Sequence, residues 1–193
     1  ENFDDPRIQR YIEVLEQKSM RLKTLTEDVV EASKITSGNI KLECMKLDFT
    51  ELVLQTSAEY EEKFEERNLT EIQHLPKEKA LVYIDGRRTW RILANLYNNA
   101  AKYAMTGSRI YTDLKVTEGV VIFSIKNISE QPLNINADQL TERFIRGDIS
   151  RSTEGSGLGL SIAQTLTEMQ KGKFELYLDG DLFKATVTFP KVQ

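Results

Sequence analysis

The chain has 193 residues, with 26 Lys and Arg against 30 Asp and Glu for a net charge of −4, and 40% hydrophobic residues. This is enough for one core plus an extra element, and it gives no overall basic field to draw nucleic acid. One cysteine, Cys44, excludes an internal disulfide and suits a reducing cytosol, while one histidine, His74, is too few soft ligands for a zinc site. No apolar run approaches the ~20 residues that span a bilayer and no signal peptide is present, so no direct membrane contact is expected of these residues.

In chain order, Ile8, Leu15, Leu22 and Val29 recur every seven residues, with Tyr11, Leu25 and Ala32 three positions after the first, third and fourth. This narrow seam on a charge-rich stretch predicts a long coiled-coil-like helix from Pro6 to about Ile35. "DDPR" starts it, with Asp4 or Asp5 as cap and Pro6 in the first turn, and "TSGN" at 36–39 stops it. A seam without a partner helix in the chain implies a missing helix or a second subunit. The start at Glu1 rather than Met, already polar and helix-prone, fits a piece of something longer.

An extended "IKLECMKLDF" leads to a second helix, capped by Thr50, whose face is Leu52, Val53, Ala58, Tyr60 and Phe64. "LTEIQHL" and "ALVYI" read as strands joined by a turn around Pro76. Asp85 then caps "GRRTWRILANLYNNAAKYA", a helix with Trp90, Leu93, Leu96 and Ala100 inward. "SRIYTDLKV" and "GVVIFSIKN" form a hairpin across "TEG", with Gly119 in the turn. An irregular stretch from Ile128 to Gly157 contains one short helix, "DQLTERFI". A last helix runs from about Leu158 to Gln170, and "GKFELYLDG" and "LFKATVTFP" form a closing hairpin. The sum is α+β, a mixed sheet with helices on one face, preceded by the long helix.

Two stretches carry chemistry. "EGSGLGLSIAQTL" places Gly155, Gly157 and Gly159 at the mouth of a helix, where bare backbone and N-terminal amides suit an anion, most often phosphate. It is neither a Rossmann fingerprint, because Leu160 holds the third glycine slot, nor a Walker A loop, because no Lys-Ser/Thr follows. Alone, it is equally a ligand-free glycine turn. In "NLYNNAAKY", Asn95 and Asn99 share a helix face, with Lys102 and Tyr103 one turn on. Amides on an otherwise apolar helix need partners. Their oxygens suit Mg2+ whose other ligands are phosphate oxygens and water, and Lys102 adds a point charge for the same phosphates. The plainer reading is two asparagines bonding to nearby loops and a surface lysine.

In combination, and in this order, these motifs resemble the ATP-binding domain of sensor histidine kinases, the GHKL fold shared with gyrase and MutL ATPases. "RILANLYNNAAKY" resembles that family's N box, "TERFIRGD" its F box at the root of the ATP lid, and "EGSGLGLSIA" its second glycine box. "KSMRLKTLTEDVVEASKITSG" is similar to the second helix of its dimerisation and histidine-phosphotransfer hairpin. The resemblance implies a two-layer α/β sandwich of the GHKL type at 45–193, with 1–40 as the second hairpin helix and the first helix absent. It implies ATP and Mg2+ as cofactors, with Asn99 on the metal, Asn95 beside it, Lys102 on phosphate oxygens and Tyr103 toward the adenosine. Gly155, Gly157 and Gly159 would let the lid's end wrap the triphosphate, with amides around Leu158 and Gly159 donating to it. Arg143 and Arg146 flank the lid root, Arg146 as a phosphate ligand, and Phe144 is a hydrophobic plug. No side chain is expected to be catalytic, since phosphoryl transfer asks mainly for positioning and charge neutralisation.

The same resemblance implies a cytoplasmic portion of a membrane-anchored parent, a homodimer through the N-terminal helix, and a response-regulator receiver domain as partner. The reaction implied is transfer of the ATP γ-phosphate to a histidine outside this chain, then to a regulator's aspartate; His74 reads as structural or surface. There is one large departure. The family's first glycine box, D-x-G-x-G, is replaced by "KNISEQPLNI" without glycine, and Asn127 stands where the adenine-binding Asp belongs. Its oxygen can accept from the exocyclic amine and its NH2 can donate to a ring nitrogen. A degenerate, non-catalytic nucleotide-binding or dimerisation module, and another GHKL-type ATPase or serine kinase, stand as alternatives. Against hydrolysis, Asn95 occupies the place of the glutamate that activates water in those ATPases.

Overall fold

The computed structural model describes residues 6–37, 41–133 and 157–192. The first helix, α1 (Pro6–Thr36), has proline as its first helical residue and ends at the expected stop. Ile8, Leu15, Leu22 and Val29 are all exposed along it. A row of apolar residues in water is what a seam without its partner helix looks like.

Strand β1 (Met45–Asp48) runs into α2 (Phe49–Glu65). Asp48, rather than Thr50, caps α2: its carboxylate accepts from the Thr50 N–H at 3.1 Å and also from the Ala80 N–H at 3.1 Å. The Thr50 hydroxyl is buried without a partner. Asparagine, aspartate and serine are the stronger caps, and from the same position Asp48 also holds the residue just before the next but one strand in the chain. The inward face of α2 is Phe49, Val53, Thr56, Tyr60 and Phe64, so Ala58, expected inward, lies exposed. Asn68 takes a left-handed φ of 52° to close the helix, and the Leu69 N–H then reaches the Phe64 carbonyl at 2.8 Å.

The strands β2 (Thr70–His74) and β3 (Leu81–Ile84) flank the turn at Pro76 but do not pair with one another. The first lies parallel to β4 (Arg109–Val116), and the second pairs antiparallel with β1. Helix α3 (Gly86–Tyr103) follows β3 and leads to β4, and β5 (Val120–Ile128) returns from β4 across the Thr117–Gly119 turn. Helix α4 (Gly159–Met169), β6 (Lys173–Asp179) and β7 (Leu182–Pro190) complete the chain. The five-stranded sheet has the order β2-β4-β5-β7-β6, all antiparallel except the β2-β4 edge, and β1-β3 form a separate pair.

Register explains the single helix-covered face. Ile110, Thr112 and Leu114 on β4 sit opposite Asn127, Ile125 and Phe123 on β5, which in turn face Phe183, Ala185 and Val187 on β7. All nine are buried and alternate with more polar outward residues, so one sheet face carries the core and the other meets solvent. Helices α2, α3 and α4 close over that face through Phe49, Val53, Ile92, Leu93, Leu96, Tyr97, Ile162 and Leu166. Each such side chain contributes about 1.5–3 kcal/mol on burial. Trp90, expected inward, is only half-buried at the rim, where its Nε1 donates to Glu59 at 2.9 Å.

Candidate functional site

Helix α3 is fixed at both ends, and this sets the position of its polar face. At its start the Asp85 carboxylate accepts from the Arg88 N–H at 3.0 Å and the Glu43 N–H at 2.9 Å. The Asp85 N–H and the Thr89 hydroxyl both donate to Gln170 Oε1, which ties the start of α3 to the end of α4. At its finish the Arg67 guanidinium donates to the carbonyls of Ala101 at 2.8 Å and Lys102 at 2.6 Å, answering orphan acceptors of the last turn. Midway, Tyr60 donates its hydroxyl to the Ala94 carbonyl at 2.9 Å, and burial pushes this phenol up to about 12. Tyr97 is fully buried, its hydroxyl donating to Glu71 at 2.8 Å, and burial raises its pKa as well. With Ile92, Leu93, Leu96, Tyr97 and Ala100 in the core, Asn95, Asn99 and Lys102 share another side of the helix.

Asn95 faces the start of α4: a Cβ on Gly159 would lie 3.3 Å from its Oδ1. Its Nδ2 is buried with no hydrogen-bond partner. Asn99 is half-buried, one turn along. Lys102 is half-buried with its ammonium 5.2 Å from the centre of the Tyr103 ring, a cation–π distance. Leu158 immediately precedes α4 and is fully buried, and no side chain caps this helix. Its first-turn N–H groups have no side-chain cap, and Gly159, the first residue of the helix, lies beside Asn95. Gly157, two residues before α4, has φ 74°, a backbone region that favours glycine.

Asn127 belongs to the helix-covered face of β5 and is 3% exposed. Its Nδ2 donates to the Ile128 carbonyl at 3.2 Å, and its Oδ1 is buried without a partner. The strand end is stitched to the end of α3, because Ile128 O also accepts from the Met105 N–H at 2.8 Å and Ala104 bridges to Ser129. So the structure gathers Asn95, Asn99, Lys102 and Tyr103 on α3, Gly157, Leu158 and Gly159 at the head of α4, and Asn127 on the sheet beside α3's end. Arg143, Phe144, Arg146 and Gly155 lie outside the described residues. His74 is far from this grouping in the fold, on β2, with its Nδ1 2.8 Å from Asp113 on the neighbouring strand.

Two unpartnered amide atoms and a helix head with no side-chain cap fit a polyphosphate nucleotide. A buried amide without a partner is costly unless a ligand answers it, and the glycine at 159 is the residue that leaves Asn95 in place. Among the described residues no three His, Cys, Asp or Glu side chains gather as a metal cage. The neutral oxygen of Asn99 is instead the donor suited to a magnesium ion that takes its remaining ligands from phosphate and water. Reading the sequence did not single out Arg67 or Gln170, which hold α3 and α4 in position. Neither has a local signal, since each acts on residues more than thirty positions away in the chain.

The five-stranded sheet with its helices on one face defines a two-layer α/β sandwich of the GHKL type. A family profile described as "Histidine kinase-, DNA gyrase B-, and HSP90-like ATPase" matches residues 84–193, and the chain belongs to that family. It is 30% identical over 195 residues to the histidine protein kinase SaeS of Staphylococcus aureus, covering 97% of this chain and 55% of that protein. Among solved structures it is similar to full-length ShkA in complex with AMPPNP, with a TM-score of 0.81, 19% identity and coverage of 97% of this chain and 40% of that one. It is also similar to the histidine kinase ThkA in complex with the response regulator protein TrrA, with a TM-score of 0.69, 23% identity and coverage of 98% and 53%. The chain spans about half the length of the curated relatives it matches.

Proposed function

We propose that this chain is the ATP-binding catalytic region of a two-component sensor histidine kinase. It transfers the γ-phosphate of ATP to a histidine outside residues 1–193, for relay to an aspartate on a response-regulator receiver domain. The observation that carries the reading is the pair of buried amide atoms without partners, Asn95 Nδ2 at the head of α4 and Asn127 Oδ1 on β5. The AMPPNP bound by ShkA and the TrrA bound by ThkA support the nucleotide and the receiver partner.

In this reading Asn99 holds Mg2+, Asn95 and Lys102 orient the phosphates, and the N–H groups at the start of α4, with Gly155, Gly157, Leu158 and Gly159, cradle them. Arg146 adds charge from the lid and Tyr103 lies toward the adenosine. The bound magnesium would supply charge neutralisation on the phosphates. The chain's own groups supply orientation, exclusion of water by the apolar wall of α3 and α4, and fixed dipoles at the helix head. Residues 1–40 form the dimerisation helix and 45–193 the catalytic domain. The exposed row Ile8, Leu15, Leu22 and Val29 is the surface on which a homodimer is built. No helix among the described residues is long and apolar enough to cross a membrane, and we place this region on the cytoplasmic side of a membrane-anchored parent.

The test is incubation of the full-length protein with ATP radiolabelled on its γ-phosphate. The expected product carries acid-labile, base-stable label that persists when His74 is changed and disappears when an upstream histidine is changed. Bound nucleotide without any label would instead mark a non-catalytic module, and acid-stable label a serine kinase.

A further inference from the structure

A helix ends on carbonyls that find no N–H further along it, and at the end of α3 those of Ala101, Lys102 and Tyr103 are answered from outside the helix. Arg67, in the turn between α2 and β2, donates from Nη1 to the Ala101 carbonyl at 2.8 Å and the Lys102 carbonyl at 2.6 Å. The Glu130 N–H donates to the Tyr103 carbonyl at 2.8 Å. The Glu130 carboxylate then accepts from Arg67 Nη2 at 2.5 Å, so the guanidinium, the helix end and the residue beyond β5 close a ring. Both outer corners of the ring are tied down. The Arg67 carbonyl accepts from the Gly107 N–H at 3.1 Å, and just before Glu130 the Ser129 N–H donates to the Asp181 carbonyl at 2.7 Å. Glu130 belongs to "KNISEQPLNI", the segment that contains no glycine.

We propose that Arg67 and Glu130 are positioning residues for the nucleotide site, acting through the main chain of α3 on Lys102. The last turn of a helix frays most readily, so a binding residue carried there is in place for only part of the time unless something holds the turn. A cation that its ligand must first order costs affinity, and one already held does not. The carbonyl that Arg67 holds at 2.6 Å is that of Lys102 itself, and the same ring fixes the residue on either side of it. A guanidinium suits this place. Its planar fork reaches two carbonyls with one nitrogen and a carboxylate with the other, and its charge sits at the negative end of the helix dipole. This role rests on the reading of the site as an ATP site with Lys102 on the phosphates.

The experiment is calorimetric binding of ATP with Mg2+ to the full chain, in a cycle of wild type, Arg67→Met, Lys102→Met and the double variant. Arg67→Met is expected to weaken binding about fivefold where Lys102 is present and by less than about twofold where it is absent, because the ring then has no cation left to place. A purely structural loss lowers affinity alike in both backgrounds, and that result overturns the proposal. So does Lys102→Met binding as tightly as wild type. Glu130→Ala carries the test where Arg67→Met does not fold, since Glu130 is exposed and the variant keeps its N–H on Tyr103. It is expected to weaken binding about twofold with Lys102 present and not at all in Lys102→Met. Wild-type affinity in Glu130→Ala overturns the part given to Glu130. A wild-type chain that binds no ATP overturns the ATP-site reading itself, an outcome distinct from equal losses in a chain that binds.

Discussion

Asn95 Oδ1 lies 3.3 Å from the point a Cβ on Gly159 would occupy, so the first residue of α4 and the polar face of α3 are in close register. That spacing is tighter than ordinary contact, and an added methyl would displace the asparagine amide by a few tenths of an ångström. Gly159→Ala is therefore expected to weaken Mg·ATP binding several-fold while moving the melting temperature little. Calorimetry and thermal melting on the same sample separate the two effects, and unchanged affinity would show that Asn95 does not need this position.

Asn99→Ala removes the amide oxygen assigned to the metal. Magnesium-dependent ATP affinity should fall by about 10–100-fold, the range seen when groups at a metal site are lost. Binding measured without magnesium should change far less. Equal losses in both titrations would remove the metal assignment.

The C-terminal part of α1 is held to α3 by charge. Glu31 accepts from Arg88 at 2.8 Å and from Arg91 Nε at 3.1 Å, and Arg91 also pairs with Asp28, which is 5% exposed. Arg91→Ala would remove the Arg91–Asp28 and Arg91–Glu31 ion pairs at the α1–α3 contact, at a cost of about 1–3 kcal/mol. Urea unfolding measures that cost, and hydrogen exchange should show earlier opening of α1 than of α3. The loss in the double change Arg91→Ala with Asp28→Asn should fall short of the sum of the two single losses, because the two residues pair with one another.

Gly172 follows α4 with its backbone under Phe189: an added Cβ would sit 2.7 Å from the ring and 2.8 Å from Thr167 Cγ2. Neither neighbour is free to give way, since Phe189 is fully buried and stacks edge-on against Phe49. Gly172→Ala is expected to destabilise by about 1–3 kcal/mol through overpacking. The double change Gly172→Ala with Phe189→Leu should cost less than the two single changes added together.

On the open sheet face, partial burial pushes the Asp113 carboxyl up. Hydrogen bonds from His74 and Lys126, together with their charges, outweigh this and hold it below its ordinary value. A depressed carboxylate stabilises the fold above its unfolded pKa of about 3.9, and that contribution is lost as the pH falls from there through the lower folded value. Acid unfolding of wild type should therefore steepen below about pH 4, and Asp113→Asn should lose this component while its own profile becomes flatter there. A parallel shift of both profiles would contradict the assignment.

Much of the chain could be read locally. Asp85 as a helix cap, the Thr117–Gly119 turn, the closing hairpin across Gly180 and the alternation of β4, β5 and β7 all depend on neighbours within a few residues. The pairing of Asn95 with Asn99 is likewise a matter of helical spacing. What failed locally was decided by distant partners. Thr50 looked like a cap, but Asp48 took the role, its carboxylate shared with the N–H of Ala80, just before β3 and far along the chain. Two strands were legible on either side of the Pro76 turn, but not the partner of each. They went to different sheets because β2 found β4 and β3 found β1.

The sequence by itself determined most of the elements among the described residues and the seam of α1, which follow from periodicity along the chain, and it carried the motifs by which the chain resembles the family; the expected short helix "DQLTERFI" lies outside the described residues. Only the tertiary structure decided that Asn95 lies against Gly159 and that Arg67 and Gln170 clamp α3 and α4. These are contacts between groups whose separation in space bears no fixed relation to their separation in sequence. The orientation of an amide, in particular, is set by which neighbour can accept its N–H.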